Sequence, residues 1–185
     1  MDRFLPFRTA PAERLGAAVQ QLRNAGVLRV LSPFEPVLAG TLPLGVDVPG
    51  SDADILCVLR PEHLFLSAVH SFSRFPHFSL RRSVRCGRPT AVCRFRAGDL
   101  SIEVFAQAGP LASQRGYRHL EVEHRLLSMG GEGLRERVME LRRSGMKTEP
   151  AFAHLLGLPG DPYEAMHEIS RSPDAALQRL LRTPN

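Results

Sequence analysis

The chain has 185 residues, of which 43% are hydrophobic and 23% charged, which is ordinary usage for one globular domain with its own core. No apolar run reaches the ~18 residues that span a bilayer, and the first residues lack a signal-peptide core, so we expect a cytoplasmic protein without a membrane partner. The net charge of +5 suits a phosphate-rich partner. However, Lys147 is the only lysine of the chain, and the other positive charges come from arginines. A GC-rich genome also produces this bias.

The hydrophobic pattern predicts an α/β protein, in which a small mixed sheet flanked by helices precedes a helical half. In the first half we predict a helix (12–24), a short strand or helix exit (27–31), two strands (36–41 and 52–59), a helix (61–72) and an antiparallel meander of three strands (79–86, 90–96 and 100–106). In the second half we predict helices over residues 114–128, 133–144, 162–170 and 173–181, and a short helix capped by Thr148 that ends near residue 156.

We therefore expect residues 1–110 to form the core and residues 111–185 a helical subregion packed on it, in a single compact domain. The three cysteines, Cys57, Cys86 and Cys93, are an odd number without metal-ligand spacing. We expect them to be reduced packing residues.

Two aspartates mark a candidate metal site. Asp52 and Asp54 are two residues apart at the start of an apolar run, so on a strand both carboxylates would point to the same face. Glu103 lies within a later strand, where an acid needs a partner. Carboxylate oxygens suit Mg²⁺, which is commonly shared between protein acids and substrate phosphates. The alternative is a polar turn at the mouth of a buried strand.

The segment before these aspartates is a candidate phosphate site. An apolar strand ends at Gly40 and Thr41, where backbone amides and a hydroxyl can approach a phosphate closely. We include Ser51, which directly precedes Asp52, among the candidate nucleotide-binding residues. Asp47 in the same loop either supports the metal indirectly or solvates the loop.

The meander is rich in arginine. These side chains would either grip a triphosphate or a nucleic-acid backbone, or form a solvated sheet face. Arg94 and Arg96 share one face, and we take Arg94 as a candidate nucleotide ligand. The arginines of the meander are Arg81, Arg82, Arg85, Arg88, Arg94 and Arg96.

Three motifs of the chain resemble the signature of the polymerase-beta-like nucleotidyltransferase superfamily. They are Gly40-Thr41, Asp52-Ala53-Asp54 and Ile102-Glu103-Val104, although the superfamily usually has Ser or Gly where this chain has Thr41. More narrowly, residues 40–56, 102–107, 114–127, 147–153 and 160–163 resemble the bacterial domain-of-unknown-function family numbered 4269. The resemblance spans about residues 35–163.

The resemblance implies a minimal nucleotidyltransferase fold with Asp52, Asp54 and Glu103 as ligands of Mg²⁺ or Mn²⁺. It also implies that helices after the last acidic strand wall a nucleotide pocket. Further candidates are Gln114, Tyr117 and Arg118, at i, i+3 and i+4 of one predicted helix, together with Lys147 and, more weakly, His119 as a ligand or base. Alternatively Tyr117 is core, Arg118 pairs with Glu121 or Glu123, and Lys147 is an exposed loop residue.

The expected function is metal-dependent transfer of a nucleoside monophosphate from an NTP to an acceptor hydroxyl. The alternatives are an inactive relative that binds a nucleotide or a partner protein, a nucleic-acid-binding module that uses the arginine-rich meander, and a toxin or antitoxin component. The sequence leaves open which NTP is used and which oligomeric state the protein has. It also leaves open whether the acceptor is RNA, a protein side chain, an antibiotic or a metabolite.

Overall fold

Five strands form one mixed sheet that places the two acidic strands side by side. The computed structural model describes residues 3–9 and 12–182. The sheet order is β1-β2-β5-β4-β3, in which β2 and β5 are parallel and every other neighbouring pair is antiparallel. The strands are β1 (Val37–Ala39), β2 (Ala53–Val58), β3 (Ser79–Arg85), β4 (Arg88–Ala97) and β5 (Leu100–Gln107).

Eight helices surround this sheet within the described residues. Three of them precede β2, one lies between β2 and β3, and four follow β5. The helices are α1 (Ala12–Asn24), α2 (Val27–Leu31), α3 (Thr41–Leu44), α4 (Glu62–His70), α5 (Arg115–Arg143), α6 (Thr148–Leu155), α7 (Pro162–Ile169) and α8 (Asp174–Arg182). The expected α/β fold class is confirmed.

Four local predictions need correction. Residues 27–31 form a helix, and the strand predicted over residues 36–41 ends at Ala39 because Gly40 breaks it and Thr41 begins α3. Lys147, rather than Thr148, is the residue that precedes the first turn of α6. Cys57 and Cys93 are buried as expected, but Cys86 is exposed because it occupies the tight β3–β4 turn, where its φ is 52°.

The two faces of the sheet pack against different helices, because side chains alternate along each strand. On one face Ile55, Cys93 and Val104 join a core with residues of α1, α2 and α4. On the other face Val37 and Leu56 join a core with residues of α5 to α8. We call this second face the site face, because Asp54 and Glu103 alternate with residues of the first core and therefore lie on it.

The long helix α5 is broken at Gly131. Its backbone there has φ 63° and ψ −156°, a conformation that is open essentially only to glycine. The two helices predicted over residues 114–128 and 133–144 therefore correspond to the two parts of α5, before and after this break. The break allows the second part of α5 to pack with α6. Within the described residues, no helix is both long enough and apolar enough to cross a membrane.

We predict opposite effects of alanine at two glycines of α5. Gly131→Ala should destabilise the protein by about 1–3 kcal/mol, because the new side chain strains a backbone with positive φ. Gly133 is helical and exposed, and a Cβ there meets no atom within 4 Å, so Gly133→Ala should stabilise by about 0.5–1 kcal/mol. Urea unfolding measures both changes. Equal effects of the two substitutions would contradict the assigned break.

Candidate active site

The centre of the candidate site is a pair of carboxylates on adjacent parallel strands. Asp54 of β2 is the direct register partner of Glu103 of β5, and Asp52 lies two residues before Asp54 in the segment that leads into β2. The structure therefore brings together the three acids that the sequence singled out. Burial, Glu103, Asp52 and Glu149 together raise the pKa of Asp54 to about 7, and Lys147 opposes that rise.

Gly40 lets the backbone pass directly over Asp54. Ala39 pairs with Asp54 across β1 and β2, and Gly40 follows with φ 68° and ψ −150°. A Cβ built on Gly40 would lie 2.2 Å from Oδ2 of Asp54, so no larger residue fits while the carboxylate keeps its position. Thr41 is buried at the start of α3.

Ser51 shapes the loop that carries Asp52. Its Oγ accepts a hydrogen bond of 2.9 Å from the backbone N–H of Val48, and its own N–H donates to the carbonyl of Val48 at 2.9 Å. The hydroxyl therefore closes a turn of the loop. Val48 to Ser51 form one rim of the cleft described below.

Arg94 is bound to the acid cluster. Its Nε and Nη2 donate to Oε2 of Glu103 at 2.6 and 2.5 Å, because Arg94 of β4 is the register partner of Glu103. The guanidinium of Arg94 therefore already has a carboxylate partner, and its contact with a nucleotide stays a prediction. The pair offsets part of the negative charge of the cluster.

A cleft of about 1660 Å³ opens in front of the acids, between the site face and helices α5 to α7. Such a volume exceeds that of ordinary small-molecule pockets, which measure about 300–1,000 Å³. Eight of the residues taken from the sequence as candidate metal or nucleotide ligands line this cleft: Gly40, Thr41, Ser51, Asp52, Asp54, Glu103, Arg118 and Lys147. The weaker candidate His119 and the meander residues Arg85 and Arg88 line it as well.

Gln114, Tyr117 and Arg118 do not share one face of the cleft, which corrects the sequence-based expectation. Gln114 has an extended backbone and precedes α5, and its buried amide donates to the carbonyl of Cys57 at 2.9 Å. Tyr117 packs edge-on against Phe7, with 5.4 Å between ring centroids. Only Arg118 lines the cleft, where it pairs with Glu121 at 3.1 Å.

Sequence reasoning named His119 but missed its partner Glu149, with which it forms a polar cluster on the helical wall of the cleft. Glu149 accepts a 3.2 Å hydrogen bond from Nδ1 of His119, whose Nε2 lies 3.2 Å from the carbonyl oxygen of Tyr163. Burial raises the pKa of Glu149. The hydrogen bond from His119 and the positive charge of nearby Arg142 outweigh burial, so the pKa of Glu149 is lowered overall. The K-T-E-P segment of the family resemblance contains Glu149, and this was the only signal for it in the sequence.

Glu123 and Arg142 bring unpaired polar atoms to the same wall. Glu123 is wholly buried, and burial and Glu149 raise its pKa well above its ordinary value, against the effect of Arg142. Within the described part of the chain, Oε1 of Glu123 and Nε of Arg142 have no hydrogen-bond partner. Buried polar atoms without partners are costly, so a polar ligand in the cleft would stabilise both.

The acids suit a divalent cation in their chemistry, although they are not preassembled as a ligand set. Among residues 3–9 and 12–182, no three His, Cys, Asp or Glu side chains are placed together as an ion site. The donor atoms are nevertheless carboxylate oxygens, which Mg²⁺ and Mn²⁺ prefer. A buried Asp54 whose negative charge is opposed by three neighbouring acids gains directly from a nearby positive charge.

Comparison with solved structures identifies the fold as that of nucleotidyltransferases. The chain is similar to Cid1 poly(U) polymerase solved with MgGTP (TM-score 0.54, 13% identity, 80% of this chain and 50% of that chain) and with Mg 3'-dATP (0.55, 12%, 85% and 48%). It is also similar to the structure of the GLD-2/RNP-8 complex (0.53, 13%, 93% and 64%). The chain thus spans about half to two thirds of the length of these relatives.

The family model for a domain of unknown function, DUF4269, matches residues 20–169, and the chain therefore belongs to this family. No curated protein matches the sequence. Both expectations drawn from the resemblance, the family and the nucleotidyltransferase-like fold, are confirmed.

We predict that Asp54→Asn stabilises the metal-free protein in a pH-dependent way. The pKa of Asp54 is about 7 in the folded protein and near 3.8 when unfolded, so its charge destabilises the fold fully above pH 7 and ceases to do so as the pH falls through 4. Removing the charge should therefore raise stability by about 1–3 kcal/mol at pH 8, and by less at pH 5.

Thermal unfolding in EDTA at the two pH values measures this difference. Asp174→Asn is the control, because Asp174 is exposed outside the cleft and pairs with Arg125 at 2.7 Å. It should show no gain at pH 8. A lower melting temperature of Asp54→Asn at pH 8 would show that other groups already neutralise Asp54.

Proposed function

We propose that the protein is a nucleotidyltransferase that moves a nucleoside monophosphate from an NTP to an acceptor hydroxyl, with Asp52, Asp54 and Glu103 as ligands of Mg²⁺ or Mn²⁺. The observation that carries the proposal is the register pairing of Asp54 with Glu103 in front of a cleft large enough for a nucleotide. The nucleotidyltransferase fold supports it, since related structures were solved with MgGTP and with Mg 3'-dATP.

A bound divalent cation would activate the acceptor hydroxyl and neutralise charge on the departing pyrophosphate. The residues of the chain would do the positioning. Asp54, buried beside Gly40 and repelled by neighbouring acids, would be the central ligand, because a nearby cation would relieve its buried charge directly. Glu103 would contribute more weakly, since it shares its charge with Arg94.

The cations of the cleft would hold the triphosphate. Lys147 lies close enough to Asp54 to lower its pKa, and Arg118 lines the same cleft. Gly40 and Thr41 would bring backbone amides and a hydroxyl to the phosphates. Glu123 and Arg142 would offer their unpaired atoms to the polar edges of the base or ribose.

One observation favours a second candidate, an inactive nucleotide-binding module. Glu103 already forms an ion pair with Arg94. Within the described residues, the three acids are not placed together as an ion site. In that case the cleft would bind a nucleotide, and no nucleotidyl transfer would follow. A transfer assay separates the two candidates.

We predict metal-dependent transfer of label from an NTP labelled at the α-phosphate. Each of the four NTPs is incubated with the protein and Mg²⁺ or Mn²⁺, alone and with bulk single-stranded RNA, and incorporated label and released pyrophosphate are measured. Asp54→Asn should lower the rate by about 100-fold or more, since even partners of metal ligands cost 10- to 100-fold. Asp174→Asn should leave it unchanged. An NTP that binds and stays intact with every acceptor would support the inactive module.

We also predict that the space beside Asp54 is needed for NTP binding. Gly40→Ala would push a methyl group against Oδ2 of Asp54 and should weaken Mg-NTP binding at least about tenfold. Gly50→Ala is the matched control, because Gly50 lies in the same loop region with φ 85° but a Cβ there meets no atom within 4 Å. It also places a side chain on a backbone with positive φ, but without the clash. Equal losses in both variants would mean that strain alone is responsible.

A further inference from the structure

Five arginines project from one side of the outer half of the sheet, on the site face. Arg94 is the register partner of Glu103 and therefore points to the same face. Since every second residue shares a face, and register partners do as well, the whole set can be assigned. The five are Arg81 and Arg85 on β3 and Arg88, Arg94 and Arg96 on β4. We call this set the arginine face.

The arginine face is open and largely uncompensated. Arg81, Arg85, Arg94 and Arg96 are exposed, whereas the helical half packs over β1 and β2. Arg94 pairs with Glu103, and Arg96 lies near Asp99. Across residues 3–9 and 12–182, no carboxylate forms an ion pair with the other three: Arg81, Arg85 and Arg88.

The opposite face of the same strand shows a different arrangement. Arg82 points away from the acids, and its guanidinium is bound to Glu62 of α4 at 2.6 Å. On β3, Arg82 thus has a carboxylate partner on one face of the sheet, whereas Arg81 and Arg85 have none on the other face among the described residues. Arg88 of the site face has no such carboxylate partner either, within the part of the chain that the structure describes.

The arginine face continues into the cleft that contains the acids. Arg85 and Arg88 flank the tight β3–β4 turn and line that cleft, and Arg88 is fixed by a 2.6 Å hydrogen bond to Oγ of Ser113. The guanidinium of Arg85 lies over the ring of Phe105, 5.7 Å from its centroid, and Phe105 also lines the cleft. Cations beside a half-buried aromatic ring offer both phosphate contacts and a stacking surface.

We propose that the arginine face binds single-stranded nucleic acid, and that this strand is the acceptor whose end reaches Asp54 and Glu103. The role as acceptor rests on the proposed function, while the binding itself does not. Arg88 and Arg94 are six residues apart on β4, about 20 Å along a strand, so the cations follow an extended polyanion rather than converge on one phosphate. An open sheet face with arginines beside an aromatic ring suits unstacked bases better than the grooves of a duplex.

The test is fluorescence anisotropy with a 5′-fluorescein-labelled single-stranded RNA and a DNA of the same mixed sequence, in EDTA, over a series of salt concentrations. The variant is Arg81→Gln, Arg85→Gln, which leaves Arg94 and all proposed metal ligands intact. The matched control is Arg82→Gln, on the same strand but the opposite face. Calorimetric titration of NTP with Mg²⁺ is run on the same samples.

We expect the wild-type protein to bind at least one of the two strands, with affinity that falls steeply with salt. The double variant should bind at least about tenfold more weakly, and its salt slope should be smaller by about 1.4, because two lost phosphate contacts on a single strand each contribute about 0.7. Arg82→Gln should bind like wild type. Tighter binding of RNA than of DNA would name RNA as the strand.

The proposal is overturned if neither strand binds, if Arg82→Gln loses as much affinity as the double variant, or if polyglutamate competes as well as RNA. The last result would assign the face to acidic protein. Its failure is distinguishable from failure of the proposed function, because strand binding is measured without metal. Strand binding without NTP binding would refute the nucleotidyltransferase proposal alone, and NTP binding without strand binding would refute this inference alone.

Discussion

The structure depends on one constraint, the repulsion between two carboxylates held side by side on adjacent parallel strands. Two unit charges about 5 Å apart repel by about 3 kcal/mol at an effective dielectric constant of 20. Asp54 and Glu103 stay close despite this repulsion, because the strand register places both side chains on the same face of the two adjacent strands β2 and β5. Burial, followed by the repulsion from Glu103, raises the pKa of Asp54 to about 7, so a proton or a nearby positive charge relieves the cost.

The surrounding chain explains why these acids stay in place. The first core anchors the opposite face of β2 and β5 through Ile55 and Val104, so a slip of one residue would expose buried apolar side chains. Gly40 leaves space at Asp54, Arg94 holds Glu103, and Lys147 approaches from the helical side. Packing on the opposite face of the sheet thus fixes the acids in place. On the site face, their negative charges exceed the nearby positive charges.

Much of the fold could be predicted from the sequence because its signals are local. Alternation identified the strands that carry Asp54 and Glu103, and the double glycine at 130–131 marked the break in α5. The acid pairing itself depended on the motif resemblance, since a parallel contact between residues so far apart leaves no periodic trace in the sequence.

The misplaced residues fail for a different reason, namely tertiary contacts that override spacing. Gln114 was placed on a helix face with Tyr117 and Arg118, but its amide is used to join the ends of β2 and β5 before the helix begins. The pairing of Arg94 with Glu103 across β4 and β5 was likewise not visible in the spacing of either strand. Glu123 lies on an amphipathic helix pattern that gives no sign of a wholly buried acid facing a cleft.

The central claim is that the acid cluster binds an NTP through a divalent cation. Its most direct test is calorimetric titration of ATP, GTP, CTP and UTP, with Mg²⁺ and in EDTA, into the wild-type protein and the Asp52→Asn, Asp54→Asn double variant. We expect at least one NTP to bind the wild-type protein only with Mg²⁺, and we expect the folded double variant to lose this binding. Binding of the same strength in EDTA, equal binding by the double variant, or no binding of any NTP would contradict it.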